Sequence, residues 1–172
     1  PISVYGETKV RAERHVIQRK GISFRLATVF GCSYRMRTDL MVNDFVYRAH
    51  SDNCVVIFEG NFRRNFIHIR DVANAFVHAI ENAESMSGEI YNLGLSSANL
   101  TKIELCEKIK SHFPNFVYLE EKISSDPDKR DYIVSNDKLE ATGWYPEFTI
   151  DDGIEELKKF YKTWKPKLHS NI

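Results

Sequence analysis

Tyr5 and Lys9 stand four residues apart near the start of the chain. On a helix that spacing stacks the two side chains on one face. A phenol works as a general base near neutral pH only if its pKa falls well below the usual ~10. A lysine ammonium one turn away favours the phenolate, so the pair has the makings of an acid/base group. Spacing alone does not single it out. Tyr118–Lys122 and Tyr161–Lys165 repeat it, and among charged residues such a pair reads equally well as a solvated surface.

The elements that must position this pair follow from the pattern of apolar residues. Ala12, Val16 and Ile17 recur at helical spacing and predict a helix from about Val4 to Lys20, closed by Gly21. An apolar run predicts one strand over Ile22–Phe30, ending at Gly31. A polar loop carrying Arg35 and Arg37 then leads to a helix near Asp39–His50, and Val55–Phe58 reads as a strand with a turn at Glu59-Gly60-Asn61. Phe66–Ile69 reads as a strand running into an Asp71–Asn82 helix, and Ile90–Leu93 as a strand stopped by Gly94. Thr101 and Glu104 spell a capping box for a helix to about His112. Phe116–Leu119 and Tyr132–Val134 are predicted strands, and Ile150–Trp164 a closing amphipathic helix. Strands alternating with helices imply an α/β chain with βα crossovers, and the short late strands suggest a small α+β lobe.

Bulk properties narrow the function classes. The 172 residues carry 24 Lys and Arg against 24 Asp and Glu, with 42% hydrophobic residues. That is enough apolar content for a core and a poor match to a general nucleic-acid surface, which is strongly basic. Three scattered cysteines, Cys32, Cys54 and Cys106, form neither a disulfide framework nor a zinc spacing, so no metal site is expected. No signal peptide opens the sequence and no apolar run approaches the ~18 residues of a membrane span. The chain reads as soluble and cytoplasmic, with no membrane partner.

The context of Tyr5 carries more than its spacing. Tyr5-Gly-Glu-Thr-Lys9 is followed by Ala12-Glu13, by Phe24-Arg-Leu-Ala-Thr-Val-Phe-Gly31, by Arg64-Asn-Phe-Ile-His-Ile-Arg-Asp71, by Tyr91-Asn-Leu-Gly94 and by Asp128-Lys-Arg-Asp-Tyr132. This ordered set resembles the extended short-chain dehydrogenase/reductase family, in particular its NAD-dependent sugar-nucleotide epimerases and dehydratases of the UDP-glucose 4-epimerase type. The resemblance runs from Tyr5 to about Trp164. It implies the C-terminal part of a Rossmann-type parallel sheet with a small α+β substrate-binding lobe, NAD as cofactor (or NADP), and a nucleotide-diphosphate sugar as substrate. By position, Tyr5 would be the acid/base on a sugar hydroxyl, and Lys9 would hold the nicotinamide ribose. Ala27 would lie beside the nicotinamide. Thr28 falls where these enzymes commonly carry an asparagine that contacts the sugar nucleotide. Leu40 and Phe58 would pack around the nucleotide base. Arg64 and Arg130 match two arginines on the diphosphate, and guanidinium forks suit phosphate oxygens. Without the resemblance each would read as a surface arginine beside a carboxylate, which Asp128 or Asp131 could supply to Arg130. Asp71 and His68 read as structural.

Similar proteins bind the dinucleotide with a glycine-rich turn at a helix N-terminus. The eight glycines of this chain nowhere approach that spacing. The chain opens on Pro1, inside the Tyr-Lys motif, and is therefore expected to be the C-terminal half of a longer protein, weak in NAD binding by itself. An epimerase passing through a 4-keto sugar is the leading expectation. A 4,6-dehydratase, a keto-sugar-nucleotide reductase and a non-catalytic sugar-nucleotide-binding protein are the alternatives. Similar enzymes pair as homodimers through the Tyr-Lys helix; Val10, Val16 and Ile17 would supply that surface or face the chain's own sheet.

Overall fold

The computed structural model describes residues 3–121 and 131–164. Seven strands and seven helices alternate within them. The first helix, α1 (Val4–Gln18), is capped by the Ser3 hydroxyl, which accepts from Gly6 N at 3.1 Å. Lys20, at φ 57°, and not Gly21, makes the left-handed turn that ends it. The predicted Ile22–Phe30 strand is broken at Ala27 into β1 (Ser23–Leu26) and β2 (Thr28–Phe30). The break has a cause: β1 pairs in parallel with β5 (Ile90–Leu93), whereas β2 pairs in parallel with β4 (Arg63–His68). Ala27, whose N–H donates to Leu93 O at 2.9 Å, is where the strand changes partner.

The remaining elements are α2 (Met41–Ser51), β3 (Cys54–Phe58), α3 (Ile69–Glu81), the single turn α4 (Ala83–Met86), β6 (Asn99–Thr101), α5 (Lys102–His112), β7 (Val117–Glu121), the single turn α6 (Asp137–Glu140) and α7 (Ile150–Thr163). β6 runs antiparallel to β4, and β3 pairs in parallel with β7 to form the small lobe. Parallel neighbours require crossovers, and the helices supply them. Tyr132–Val134, expected as a strand, lies outside any ladder. It is held instead by the Asn99 side chain, which accepts from Val134 N at 2.9 Å and donates to Val134 O at 3.0 Å.

β4 is the central strand, buried from Arg64 to His68. The Leu95 segment is tied to it by backbone, with Leu95 N donating to Phe66 O at 2.9 Å, and by one side chain. Asn65 donates to Leu95 O at 2.9 Å and accepts from Leu95 N at 3.2 Å, imitating a ladder. Gly94 is what lets the chain pass, since a Cβ there would lie 1.9 Å from Asn65 Oδ1. His68 is fully buried, stacked on Phe148 and bonded to Glu156 Oε2 at 2.6 Å. Asp71 accepts from Glu147 N and Phe148 N at 2.9 and 3.1 Å. Both are structural, as expected from the sequence: Asp71 joins α3 to the 144–149 segment, and His68, at the end of β4, meets Phe148 and the α7 residue Glu156. The α1 face is shallow: none of its residues is fully buried, Val10 and Ile17 are half-buried and Val16 is 40% exposed. No helix among the described residues is long and apolar enough to cross a membrane.

Candidate active site

A cleft of about 970 Å³ opens where α1, the β1–β2 break, the loop before α2 and the small lobe meet. Tyr5, Ala27, Thr28, Leu40, Phe58 and Arg64 all line it. Six residues chosen from scattered motifs thus share one concavity. Lys9 lies one turn along α1, its Nζ 5.5 Å from the centre of the Tyr5 ring, and does not line the cleft. Arg130 lies outside the described residues.

The three tyrosines with a lysine four residues on prove to be different objects. Tyr5 is 70% exposed and lines the cleft. Tyr118 is on a strand, not a helix, and its hydroxyl donates to Glu107 Oε1, which raises its pKa. Tyr161 is 1% exposed and donates to Asn43 O at 3.1 Å; burial pushes its hydroxyl above the ordinary tyrosine range. Only Tyr5 faces the cleft. Its helix is tied to the sheet by Glu13, which accepts two hydrogen bonds of 2.8 Å from the Arg25 guanidinium on β1. Those bonds hold the Glu13 carboxyl below its usual range. Glu13 belongs to the motif, yet its partner across twelve residues is not readable from spacing.

Much of the remaining lining is basic. Arg35, Arg37, Arg64 and Lys102 line the cleft against the carboxylates Asp39 and Asp44. Arg37 grips Asp39 with bonds of 2.7 and 2.6 Å. Arg64 is 3% exposed, donates to Arg63 O at 3.0 Å and lies 5.7 Å over the Tyr132 ring. Asp131, a candidate partner for Arg130 in the sequence, accepts from Arg63 N and Nε at 2.9 and 3.2 Å. Lys102, 4% exposed, donates to Phe58 O at 2.7 Å and so fixes the end of β3. Sequence reasoning passed over Lys102, because the first residue of a capped helix reads as surface; burial and its reach of 44 residues to β3 are tertiary facts. Excess positive charge in a concavity, with planar guanidinium donors, suits a diphosphate.

Two other cysteine-bearing regions lack nucleophile character. Cys32 and Cys106 have their thiols pushed up to about 12, chiefly by burial. Among the described residues no three His, Cys, Asp or Glu side chains cluster as a metal site.

Comparison with known proteins places the chain in a family. The model of the NAD dependent epimerase/dehydratase family matches residues 1–94. The chain is 27% identical over 126 residues to mouse dTDP-D-glucose 4,6-dehydratase, covering 67% of this chain and 35% of that protein. It is 27% identical over 176 residues to dTDP-L-rhamnose 4-epimerase of Burkholderia thailandensis, covering 95% and 46%. The fold is similar to that of UDP-glucose 4-epimerase from Thermotoga maritima, with a TM-score of 0.80 at 24% identity over 95% of this chain and 55% of that one. UDP-glucuronic acid 4-epimerase from Bacillus cereus, solved with UDP-glucuronic acid and NAD, gives 0.79 at 22% identity over 94% and 53%. The chain therefore spans about a third to a half of the length of these relatives.

Proposed function

On the premise that this chain belongs to the NAD dependent epimerase/dehydratase family, we propose that it carries the substrate-binding and acid/base portion of an NAD-dependent sugar-nucleotide epimerase. The observation that carries this reading is the shared cleft: an exposed tyrosine lines the same concavity as Arg35, Arg37, Arg64 and Lys102.

In this reading the diphosphate lies along the basic wall, where Arg64 and, from outside the described residues, Arg130 bind its oxygens. The base packs near Leu40 and Phe58, whose carbonyl Lys102 holds in place. Thr28 meets the sugar. Tyr5 then takes the proton of the sugar 4-hydroxyl as that carbon is oxidised, and returns it to the 4-keto intermediate after the ring has turned over. Anchoring through the nucleotide lets the sugar rotate without leaving the site.

The residues present fit one end of the cofactor only. Half-buried Ala27, beside Thr28 and Tyr5 on the cleft wall, leaves room for a flat ring. The glycines of the chain supply no turn for the dinucleotide's pyrophosphate. When bound, the nicotinamide accepts and returns hydride; Lys9 would hold its ribose.

A 4,6-dehydratase is the second reading, favoured by the similarity to mouse dTDP-D-glucose 4,6-dehydratase. It uses the same Tyr5 step before eliminating water. Calorimetric titration tests the shared claim: UDP-glucose and dTDP-glucose are expected to bind, and uridine, which lacks the diphosphate, to bind at least about tenfold more weakly. Equal binding of uridine and UDP-glucose would overturn the assignment of the basic wall.

A further inference from the structure

The loop between Gly31 and Leu40 builds much of the basic wall, yet it belongs to no helix or strand. One buried side chain ties it at two points. Asn43, in the first turn of α2, is 2% exposed. Its Oδ1 accepts from Gly31 N at 3.0 Å, and its Nδ2 donates to Arg37 O at 2.8 Å. The same residue's backbone carbonyl accepts from the Tyr161 hydroxyl of α7 at 3.1 Å. One amide thus closes both ends of a seven-residue stretch, and the buried Tyr161 of α7 holds the residue that does so.

The loop needs this because its entry is constrained from the other side. Gly31 sits at φ +109°, a conformation that favours glycine, and a Cβ there would meet His68 Nε2 at 2.6 Å. The loop is also a partition: Ser33 and Arg35 line the main cleft and also a second cavity floored by Met36, Phe160 and Trp164. Cys32 and Met36 pack against the core and Thr38 is buried, but at Ser33 and Arg35 the chain has space on both sides, and there the bonds at Gly31 N and Arg37 O bracket it.

We propose that Asn43 is a positioning residue that staples the 31–37 loop at both ends, setting the placement of Arg35 and Arg37 on the cleft wall and hence the affinity for a nucleoside diphosphate. Its effect on the loop stands independently; its effect on affinity rests on the sugar-nucleotide reading. Asparagine is suited to the task because it both donates and accepts, which neither aspartate nor leucine does at neutral pH.

Residue-resolved amide exchange tests the staple without any ligand. In the unmodified chain the Gly31 amide is expected to exchange at rates typical of the buried strands; exchange as fast as an open loop would overturn the proposal. Asn43→Asp keeps the acceptor for Gly31 but cannot donate to Arg37 O. It is expected to leave Gly31 protected while the amides of residues 33–39 exchange roughly tenfold faster. General weakening of the fold would instead speed Gly31 and the loop alike, and would sink the idea. Asn43→Ala, where it folds, should release both ends. UDP-glucose affinity, read by calorimetry, should fall about tenfold in Asn43→Asp. Unchanged affinity with a released loop would remove the claim on ligand binding. If the unmodified chain does not bind UDP-glucose, the sugar-nucleotide reading fails, while amide exchange still decides the role of Asn43.

Discussion

At the residue scale, the proposed chemistry rests on Tyr5 and its surroundings. General acid/base groups contribute about 10²–10⁴-fold to a rate. Tyr5→Phe in the native polypeptide carrying this sequence is expected to lower kcat within that range while nucleotide-sugar affinity changes less than about twofold. A matching loss of affinity would move Tyr5 from chemistry to binding. For Arg64, lysine keeps the charge and loses the planar fork. Arg64→Lys is expected to weaken UDP-glucose binding about tenfold, with little effect on uridine; equal losses for both ligands would count against a diphosphate contact. The residues in the cleft were readable from the sequence to different degrees. The family resemblance carried by the ordered motifs pointed to Tyr5, Ala27, Thr28 and Arg64, because each falls inside a quoted motif; no local pattern singles out the last three. Lys102 and Asn43 were invisible for the opposite reason. Their partners are 44 residues away in one case and a loop carbonyl in the other, and no spacing rule encodes such reach.

At the element scale, regular structure was legible where a local rule governs it. The Thr101–Glu104 box caps α5 with reciprocal bonds of 2.7 and 3.1 Å, and Ile90–Leu93 is β5 as the apolar pattern indicates. The Ile22–Phe30 run could not announce its break, because the switch at Ala27 is set by which strands lie beside it. A second box, Thr149 with Asp152, starts α7 and went unread behind Pro146 and Phe148. Gly94→Ala should destabilise the chain by roughly 2–4 kcal/mol, by pushing Asn65 off Leu95 in a buried strand; a melting temperature within a degree of the parent would show that the crossing relaxes freely. Acidification gives a further check. Glu104, Asp152 and Glu13 all have carboxyls held below their ordinary range, the first two chiefly by bonds to their capping threonines and the third by Arg25. A depressed folded pKa adds stability above the unfolded pKa, and that stability is lost as pH falls through the folded value. Denaturant midpoints are therefore expected to hold steady from about pH 8 to 5 and to fall below about pH 4.5. Rising stability in that acid range would contradict the assigned bonds.

At the scale of the whole molecule, the parts have one arrangement in common. A central buried strand, β4, carries Arg64 into the cleft at one end and His68 into the α7 interface at the other. The helices and small lobe around it shape the cleft lined by Arg35, Arg37, Arg64 and Lys102, and α1 brings Tyr5 to the same cleft. β1 pairs only with β5 among the described residues, and Val4, Leu26, Phe76 and Ile80 are exposed apolar side chains. With no glycine-rich turn in its sequence, the 172-residue chain alone is expected to bind NAD no more tightly than about 1 mM, as read by calorimetry. Micromolar binding would show a dinucleotide site that the cleft does not explain. The most direct test of sugar-nucleotide chemistry is to incubate the native polypeptide carrying this sequence with NAD and UDP-glucose or dTDP-glucose, and to follow the sugar by NMR. The expected result is a product altered at carbon 4, either the 4-epimer or a 4-keto-6-deoxy sugar, formed by the parent and not by Tyr5→Phe. Tightly bound nucleotide sugar that stays unchanged at carbon 4, or equal turnover by Tyr5→Phe, would contradict it.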